Sequence, residues 1–222
     1  MINIIVSGIG GRMGREVVKS VEKNENTSLL GGIRDIDSFS DKDIKNSVII
    51  DFSSSEGLGK AVDTALKYNI PLVTGTTALT EDDFKKIEAA SKKEAVFLSF
   101  NMSMGIFFLQ KLFAENSKFL KENYDEQIIE LHHKNKKDAP SGTAIKLSEA
   151  LNGVAIQSVR MGAIKGCHRI IFADDNEVIE IKHTALDRSL FSDGAVNAAL
   201  FIFSKKPGLY NMNDMFEGGN EK

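Results

Sequence analysis

The chain has little cysteine. Cys167 is the one thiol in 222 residues, so no intrachain disulfide can form, and a lone thiol fits a reducing, cytoplasmic compartment. Neither sign of charge dominates, because 28 basic against 31 acidic residues leave a formal net charge of -3. That balance offers no general attraction to nucleic acid or to a membrane surface. The apolar start at residues 2–9 is too short for a membrane span and lacks the basic flank of a signal peptide.

Metal ligands at metal-binding spacing are also missing. The pair His132 and His133 has no further histidine or cysteine near it in the sequence, so we expect no metal site. We find no internal repeat, low-complexity segment or long linker. Hydrophobic residues make up 42% of the chain, which is enough for the core of one domain or of two small ones.

The amino-terminal residues have the pattern of a dinucleotide-binding βαβ unit. An apolar strand at 2–6 leads into a glycine-rich turn, a helix follows over 15–23, and a second strand is predicted at 29–33. The glycines of the turn are Gly8, Gly10, Gly11 and Gly14. They allow a tight turn and a close approach of the backbone to a pyrophosphate, which would lie at the helix N-terminus.

Charged residues at the predicted end of the second strand bear on the choice of cofactor. Asp35 lies about twenty residues beyond the turn, where a carboxylate can accept hydrogen bonds from a ribose diol and so favours NAD. Arg34 and Arg12 could instead hold a 2′-phosphate. We therefore expect NADH or NADPH as the cofactor, and the choice between them stays open.

Strands and helices continue to alternate up to residue 103, which predicts a parallel sheet covered by helices. Predicted strands lie at 47–52, 71–74 and 95–99, and predicted helices at 56–68 and 80–92. Each strand is followed by small or polar residues. Such loops meet at the carboxyl edge of a parallel sheet, where ligands bind. The predicted fold class is α/β, with a Rossmann-type dinucleotide-binding domain.

The pattern changes after an amphipathic helix at 104–121. Four strands are predicted at 125–131, 156–161, 167–173 and 177–184, with one helix at 141–151 and a hairpin turn at 174–176. A last helix at 189–203 is expected to return to the first domain. We therefore predict a dinucleotide-binding domain made of 1–103 and 188–222. Inserted into it, residues 104–187 form an α+β domain for substrate binding and oligomerisation.

The stretch from 132 to 143 concentrates reactive side chains. It holds two imidazoles, three lysines and Pro140 at a helix entrance, beside small residues that leave backbone N–H groups free. A helix N-terminus attracts anions, and neighbouring lysines strengthen that field. These residues predict a site for a small acid with more than one carboxylate, next to a histidine placed to move a proton. We interpret His168 and His183 as structural, and Arg160 either as a pocket residue or as an exposed strand residue.

The same stretch resembles the signature of the dihydrodipicolinate reductase family. The likeness covers Glu130 to His133, Lys136 and the run from Asp138 to Ala144. Further segments similar to the family are the turn from Gly8 to Gly14, Asp51-Phe52-Ser53, Gly75-Thr76-Thr77, Asn101-Met102-Ser103 and Pro207-Gly208-Leu209-Tyr210. The likeness therefore spans nearly the whole chain.

This resemblance implies that a homotetramer reduces 4-hydroxy-tetrahydrodipicolinate with NADH or NADPH, in diaminopimelate and lysine biosynthesis. By matching positions, His132 resembles the family's proton donor and Lys136 its catalytic partner. His133, Gly142 and Thr143 correspond to positions that hold the substrate carboxylates. The positions that correspond to cofactor contacts are Gly8, Ile9, Gly10, Gly11, Arg12, Met13, Asp35, Phe52, Ser53, Gly75, Thr76, Thr77, Ser99, Phe100, Asn101 and Met102.

The chain also departs from the family's pattern. The segment between Asp35 and Asp51 is shorter, Ala78 replaces a glycine, and the connection from 151 to 159 lacks a longer loop that helps to close over the substrate. Two alternatives therefore stand beside the reductase. One is another NAD(P)-dependent dehydrogenase of small amino or keto acids, and the other is a nucleotide-sensing paralogue with weak turnover. The intact His132 and Lys136 favour the reductase.

Overall fold

The computed structural model describes residues 1–217 and divides into two compact units. The first unit comprises residues 1–102 together with the residues from 188 onward, and the second comprises residues 103–187. Within the described residues, no helix is long and apolar enough to cross a membrane.

A parallel sheet forms the centre of the first unit. Its strands are β1 (Ile2–Ser7), β2 (Thr27–Gly32), β3 (Ser47–Asp51), β4 (Leu72–Thr74), β5 (Ala95–Leu98) and β10 (Gly208–Tyr210). They pair in the order β2-β1-β3-β4-β5-β10. Every residue of β3 is buried, as expected for a parallel strand with both faces covered.

Helices surround this sheet. They are α1 (Arg12–Lys23), α2 (Asp41–Lys45), α3 (Ser55–Tyr68), α4 (Glu81–Ser91), α7 (Ser189–Ile202) and α8 (Met212–Glu217), with a 3₁₀ helix at Ile33–Ser38. Helix α4 begins with a capping box, in which Thr80 and Asp83 satisfy each other's backbone N–H groups. Helix α3 buries Leu58, Ala61, Val62 and Ala65, which share one face and join the core cluster under the sheet.

The strand order fixes where a ligand can bind to the first unit. After β1 the chain goes to β2 on one side and then to β3 on the other side of β1. Loops that leave β1 and β3 therefore diverge and open a crevice at the carboxyl ends of these two strands. The loops after β4 and β5 lie along the same edge, because all these strands are parallel.

The second unit is a mixed sheet with helices on one face. Its elements are α5 (Met104–Asn123), β6 (Asp125–His132), α6 (Gly142–Ala150), β7 (Ile156–Arg160), β8 (Cys167–Ala173) and β9 (Val178–Thr184). The strand order is β7-β6-β8-β9, and only the pair β6 and β7 is parallel. Alternate residues such as Ile128, Ile170 and Phe172 face α5 and α6 and form the core.

The predicted α/β class is confirmed, and each predicted strand and helix is present. Sequence reasoning missed α2, β10, α8 and the 3₁₀ helix, because elements of three to six residues are too short to show a periodic pattern. The placement of Arg34 and Asp35 at the end of the second strand is wrong. Strand β2 ends at Gly32, and both charged residues lie in the 3₁₀ helix that follows.

Candidate active site

Two glycines shape the turn between β1 and α1. Gly8 has a φ of +79°, and a Cβ there would lie 2.7 Å from the carbonyl oxygen of Phe52. A Cβ at Gly14 would collide with the carbonyl oxygen of Gly8. These positions therefore exclude side chains, so that the turn packs closely against the loop after β3 at Gly8 and against α1 at Gly14. In contrast, nothing lies within 4 Å of a Cβ built at Gly10, so the backbone there is open to a ligand.

Helix α1 begins without a side-chain cap. Its N-cap is Gly11, whose N–H donates to the Gly8 carbonyl oxygen over 2.8 Å, and no side chain caps the first turn. The first turn also contains no acidic residue. Backbone N–H groups and the helix dipole at this end favour an anion such as a pyrophosphate.

A groove of about 630 Å³ follows this turn into the crevice between β1 and β3. Of the predicted cofactor residues it is lined by Gly8, Ile9, Gly10, Gly11, Asp35, Phe52 and Ser53. Its rim carries both signs of charge, because Arg34 and Lys60 line it together with Asp35. The groove therefore contains groups suited to a ribose diol and groups suited to a phosphate.

A second cavity of about 480 Å³ shares Gly11, Phe52 and Ser53 with the groove and reaches the loops after β4 and β5. It adds the predicted residues Arg12, Met13, Gly75, Thr76, Thr77, Phe100 and Met102, together with Phe191, which sequence reasoning did not select. Ser99 and Asn101 line neither space. Instead, the Ser99 hydroxyl donates to the Asn101 carbonyl oxygen over 2.8 Å and shapes the loop that presents Phe100.

A fully buried carboxylate, Asp51, is hydrogen-bonded to Ser53 and Thr76, which line this second cavity. Its oxygens accept hydrogen bonds from three hydroxyl groups, those of Ser53 at 2.5 Å, Thr74 at 3.0 Å and Thr76 at 2.6 Å. The Thr76 hydroxyl in turn accepts from the backbone N–H of Ser53 over 3.1 Å. Asp51 thus ties the loop after β3 to the loop after β4.

In the second unit, His132 ends strand β6 and is almost fully buried. Its Nδ1 is hydrogen-bonded to a carboxylate oxygen of Glu130, which lies two residues earlier on the same face of β6 and is 0% exposed. This bond assigns the proton to Nδ1 and directs Nε2 away from the carboxylate. A Cβ at Gly166 would lie 3.1 Å from Nε2, so a side chain at this position would crowd that nitrogen.

Burial, hydrogen bonds and neighbouring charges shift the pKa values of both His132 and Glu130. Burial lowers the pKa of His132, Glu130 opposes that effect, and the positive charges of Lys136 and Arg160 add to the lowering. Burial acts to raise the pKa of Glu130, but hydrogen bonds from Arg160, Ser158 and the imidazole outweigh it. The pKa of this carboxyl group is therefore lowered, and it stays ionised beside the histidine.

Of the two interpretations of Arg160 made from the sequence, that of an exposed strand residue is wrong. Its side chain is 18% exposed, and its Nη2 donates to Glu130 over 2.6 Å and to the carbonyl oxygen of Asp138 over 2.6 Å. Its Nη1 donates to the carbonyl oxygen of Val159 over 2.9 Å. Arg160 therefore links the end of β6 to the turn that precedes α6.

The remaining predicted residues lie in and after that turn. The Lys136 ammonium pairs with Asp138 over 2.9 Å, and its backbone N–H donates to the carbonyl oxygen of His133 over 3.0 Å. Ser141 caps α6 by accepting from the N–H of Ala144. A Cβ built at Gly142, the first residue of α6, meets nothing within 4 Å, and Thr143 follows it. The turn thus carries an ammonium group and leads into the N-terminus of α6, where the space beside Gly142 is open.

His168 and His183, interpreted as structural, lie in a row with His132. The ring centroids of His132 and His168 are 5.4 Å apart, and those of His168 and His183 are 6.1 Å apart. The Ser141 hydroxyl lies 3.4 Å from Nε2 of His168. Burial lowers the pKa of His168 to about 4, so the ring between the other two is neutral at pH 7. Within residues 1–217, no group of three or more potential ligands is arranged to hold a metal ion.

The first unit defines a Rossmann-type protein with a dinucleotide groove, and the second contains a buried acid–base pair beside cationic groups. Together they define the class of pyridine-nucleotide-dependent oxidoreductases. Within that class, the chain belongs to the dihydrodipicolinate reductase family. The family model for the N-terminal part matches residues 2–102, and that for the C-terminal part matches residues 105–216.

Individual relatives agree with this placement. The chain is 44% identical to the 4-hydroxy-tetrahydrodipicolinate reductase of Thermosipho africanus, with 96% of each protein covered. It is 39% identical to the enzyme of that name from Rickettsia bellii, with 98% of this chain and 95% of the relative covered. The fold is similar to that of a dipicolinate-bound dihydrodipicolinate reductase from Paenisporosarcina sp. TG-14, with a TM-score of 0.80, 21% identity and coverage of 95% and 97%.

Proposed function

We propose that this protein reduces 4-hydroxy-tetrahydrodipicolinate to tetrahydrodipicolinate with NADH or NADPH, a step of diaminopimelate and lysine biosynthesis. The observation that carries this proposal is the state of His132. Its Nδ1 is held by buried Glu130, and its Nε2 lies beside Gly166, which has no side chain. The ring stands beside the positive charge of Lys136, in a chain whose two halves both match the reductase family.

The first unit is proposed to bind the dinucleotide. The uncapped N-terminus of α1 and the open backbone at Gly10 fit a pyrophosphate, and the cavity from Met13 to Phe100 fits the rest of the molecule. The dinucleotide supplies a hydride when it is bound. The groups of this chain bind it, orient it and exclude water from the reacting atoms.

The second unit is proposed to hold the substrate and to supply the proton. The 4-hydroxyl group of the substrate leaves as water, and the unsaturated ring that results accepts the hydride. Protonated His132 donates from Nε2 to the carbon centre that becomes electron-rich after hydride addition, while Glu130 keeps the Nδ1 proton in place. An anionic substrate raises the pKa of His132 and so favours the protonated ring. Lys136 acts as a fixed positive charge on the substrate carboxylates. His133, Gly142 and Thr143 are proposed to complete that site, with backbone N–H groups of α6 as donors.

Both forms of the cofactor are proposed to be accepted. Asp35 can bind the ribose diol of NADH, whereas Arg34 and Lys60 on the same rim can bind the 2′-phosphate of NADPH. Neither arrangement excludes the other, because these residues are side chains of an open groove. The ratio of the activity with NADPH to that with NADH measures directly how these rim side chains discriminate between the two cofactors.

We further propose a cytoplasmic homotetramer that uses neither nucleic acid nor a membrane as partner. The sheet of the second unit supports this assembly. Its face away from α5 and α6 carries Ile129, Leu131 and Ile171, and apolar residues on a sheet face favour contact with another subunit. Sedimentation velocity gives the mass of the assembly directly.

The test follows the loss of NADH and NADPH absorbance with substrate generated in situ from aspartate semialdehyde and pyruvate by a synthase. We expect turnover with both cofactors. His132→Gln should lower turnover about 10²- to 10⁴-fold, because the general acid is lost. Lys136→Ala should lower it and raise KM as well, because a charge that neutralises the substrate is lost. Lys146→Ala removes an exposed lysine that pairs with Glu149 on α6, and it should leave both constants unchanged.

The outcomes separate the reductase from its alternatives. A folded protein that binds the dinucleotide but oxidises neither cofactor with this substrate would instead be a nucleotide sensor or another dehydrogenase. Oxidation with a different amino or keto acid would identify the second of these. Full activity in His132→Gln would leave the reaction class intact and would refute the role of this histidine.

A further inference from the structure

We propose that Arg160 is a positioning residue that couples the proton-donating end of strand β6 to the turn that binds the substrate carboxylates. This inference depends on the proposed function, because the donor and the carboxylate site are the two parts that it joins. Arg160 itself is not proposed to contact substrate or cofactor. Its effect is transmitted through Glu130 on one side and through the backbone of Asp138 on the other.

Three contacts fix the guanidinium group of Arg160. Nη2 lies 2.6 Å from Glu130 Oε1 and 2.6 Å from the carbonyl oxygen of Asp138, and Nη1 lies 2.9 Å from the carbonyl oxygen of Val159. The side chain is 18% exposed, whereas Glu130 is 0% exposed. A planar guanidinium can hold several acceptors at set angles, which a single ammonium group cannot do.

The strand register brings these groups together. Strands β6 and β7 are parallel, and His132 is the Cα partner of Arg160. Glu130 lies two residues before His132, so both side chains project from the same face of β6. The imidazole and the guanidinium therefore reach the same carboxylate from two neighbouring positions, one through each of its oxygens.

The contact with Asp138 extends this chain of bonds into the turn. The contact between Arg160 and Glu130 is sufficient to neutralise the Glu130 carboxylate. The hydrogen bond from Arg160 to the Asp138 carbonyl oxygen does not contribute to that neutralisation. That bond instead holds the backbone of the residue whose carboxylate pairs with Lys136 over 2.9 Å. Displacing Arg160 should therefore release both the carboxylate that orients His132 and the turn that positions Lys136.

The charges around His132 make the coupling measurable. Glu130 faces the ring from β6, Arg160 from β7 and Lys136 from the following turn, and His168 on β8 contacts it as a neutral ring. His183 on β9 lies beyond His168, and Asp138 is paired with Lys136. Glu130 raises the pKa of His132, whereas Arg160 lowers it. The two substitutions Arg160→Gln and Glu130→Gln should therefore shift this pKa in opposite directions.

The first measurement is an NMR titration of the histidine rings in the full protein without substrate. The chain has four histidines, and His132→Gln identifies the signal of His132. We expect Arg160→Gln to raise the pKa of His132 and Glu130→Gln to lower it by a larger amount. Lys118→Gln, which removes an exposed lysine of the same unit that pairs with Glu122 over 3.9 Å, should leave it unchanged.

The second measurement is the affinity of the protein for dipicolinate, used as a stable dicarboxylate probe. Arg160→Gln should weaken binding about tenfold, because the turn loses its anchor at Asp138. Glu130→Gln should change binding less than twofold, while it lowers kcat. Arg160→Lys keeps the positive charge but not the planar group. The pKa of His132 should therefore stay as in wild type, while the affinity for dipicolinate should fall as in Arg160→Gln.

Unchanged pKa of His132 and unchanged dipicolinate affinity in folded Arg160→Gln would overturn the proposal. A change in only one of the two would overturn the coupling and leave a local role. If Arg160→Gln does not fold, Arg160→Lys provides the test. A wild-type pKa of His132 together with weakened dipicolinate binding would support the proposal, and wild-type binding of dipicolinate would overturn it. A wild-type protein that neither binds dipicolinate nor turns over would refute the proposed function, whereas opposite shifts in the titration would still show that Arg160 and Glu130 set the state of His132.

Discussion

Asp51 in the first unit and Glu130 in the second are both fully buried carboxylates near the carboxyl end of a strand. Their partners differ in kind. The side chains that bond to Asp51 are the hydroxyl groups of Ser53, Thr74 and Thr76, whereas Glu130 is bonded to an imidazole and a guanidinium as well as to the Ser158 side chain. The partners of Asp51 do not titrate near pH 7, whereas those of Glu130 include a charged group and a titrating group.

This difference separates two ways of building a ligand site. Hydroxyl donors keep the same hydrogen bonds across the physiological pH range, so the loops held by Asp51 should present an unchanging surface to a dinucleotide. The site around Glu130 instead changes its charge when His132 gains or loses a proton. We therefore expect pH to act on the second unit and to leave the dinucleotide edge of the first unit largely unaffected.

The largest predicted effect concerns His168, the neutral ring between His132 and His183. Its pKa is about 4 in the folded protein and about 6.5 when unfolded, so the unfolded state binds more protons between these pH values. Stability is therefore lost as the pH falls from 6.5 to 4, by about 3 kcal/mol from this residue alone. We expect His168→Gln to remove that part of the loss in the free energy of unfolding, measured by denaturant titration at several pH values.

This measurement must hold the protein concentration constant, because assembly also stabilises the fold. At pH 8 the two proteins are compared only to set the baseline, since the histidine is neutral in both states there. Parallel stability curves for wild type and His168→Gln between pH 6.5 and 4 would contradict the contrast between the two units.

The next prediction concerns Asp51, the carboxylate that is held by neutral hydroxyl donors. Asp51→Asn places an amide N–H₂ among hydroxyl donors, so it should lower the free energy of unfolding by about 2 kcal/mol. Ser53 and Thr76 donate to different oxygens of Asp51, and one of these becomes an N–H₂ group that cannot accept. The affinity for the dinucleotide should therefore fall about tenfold, while the pH profile of turnover stays as in wild type. Calorimetric titration with NADH and a pH–rate profile measure the two effects.

A matched control is Asp82→Asn, which removes an exposed carboxylate that pairs with Lys85 over 3.3 Å. Its stability and its affinity for NADH should match those of wild type, since exposed ion pairs contribute little. A shifted pH profile in Asp51→Asn would mean that this carboxylate takes part in the proton chemistry after all.

The two regions also differ in how much of each site could be predicted from the sequence. Gly8, Asp51 and Phe52 lie in local strand–turn–helix patterns, so the glycine turn and the polar loops could be placed without knowing the fold. Arg160 could not be assigned, because its role depends on the parallel register of β6 and β7, which no local pattern specifies. The row of His132, His168 and His183 was missed for the same reason, since it crosses three strands.

A smaller effect is expected at the rim of the dinucleotide groove, where the first unit does carry charge. Asp35→Asn removes the negative charge, which favours a ribose diol and repels a 2′-phosphate, and leaves one acceptor oxygen in place of two. The ratio of kcat/KM for NADPH to that for NADH should therefore rise about tenfold, with no change in the pH profile. Arg34→Gln is the reciprocal variant and should lower the same ratio. A ratio that responds to neither substitution would place the adenosine end of the cofactor away from this rim.

The smallest predicted effect comes from the backbone of the first unit. Ala78 has a φ of +58°, a backbone conformation that costs an L-residue more than it costs glycine. The alanine that stands here in place of the family's glycine is therefore strained. Ala78→Gly should raise the free energy of unfolding by about 0.5–1 kcal/mol, the relief of strain being offset in part by the entropy of the unfolded chain. Ala89→Gly, the same change on the exposed face of α4, should instead lower it by about 1 kcal/mol. If both variants lose stability equally, the left-handed conformation at Ala78 stores no strain, and the loop after β4 is set by Asp51 and its hydroxyl partners alone.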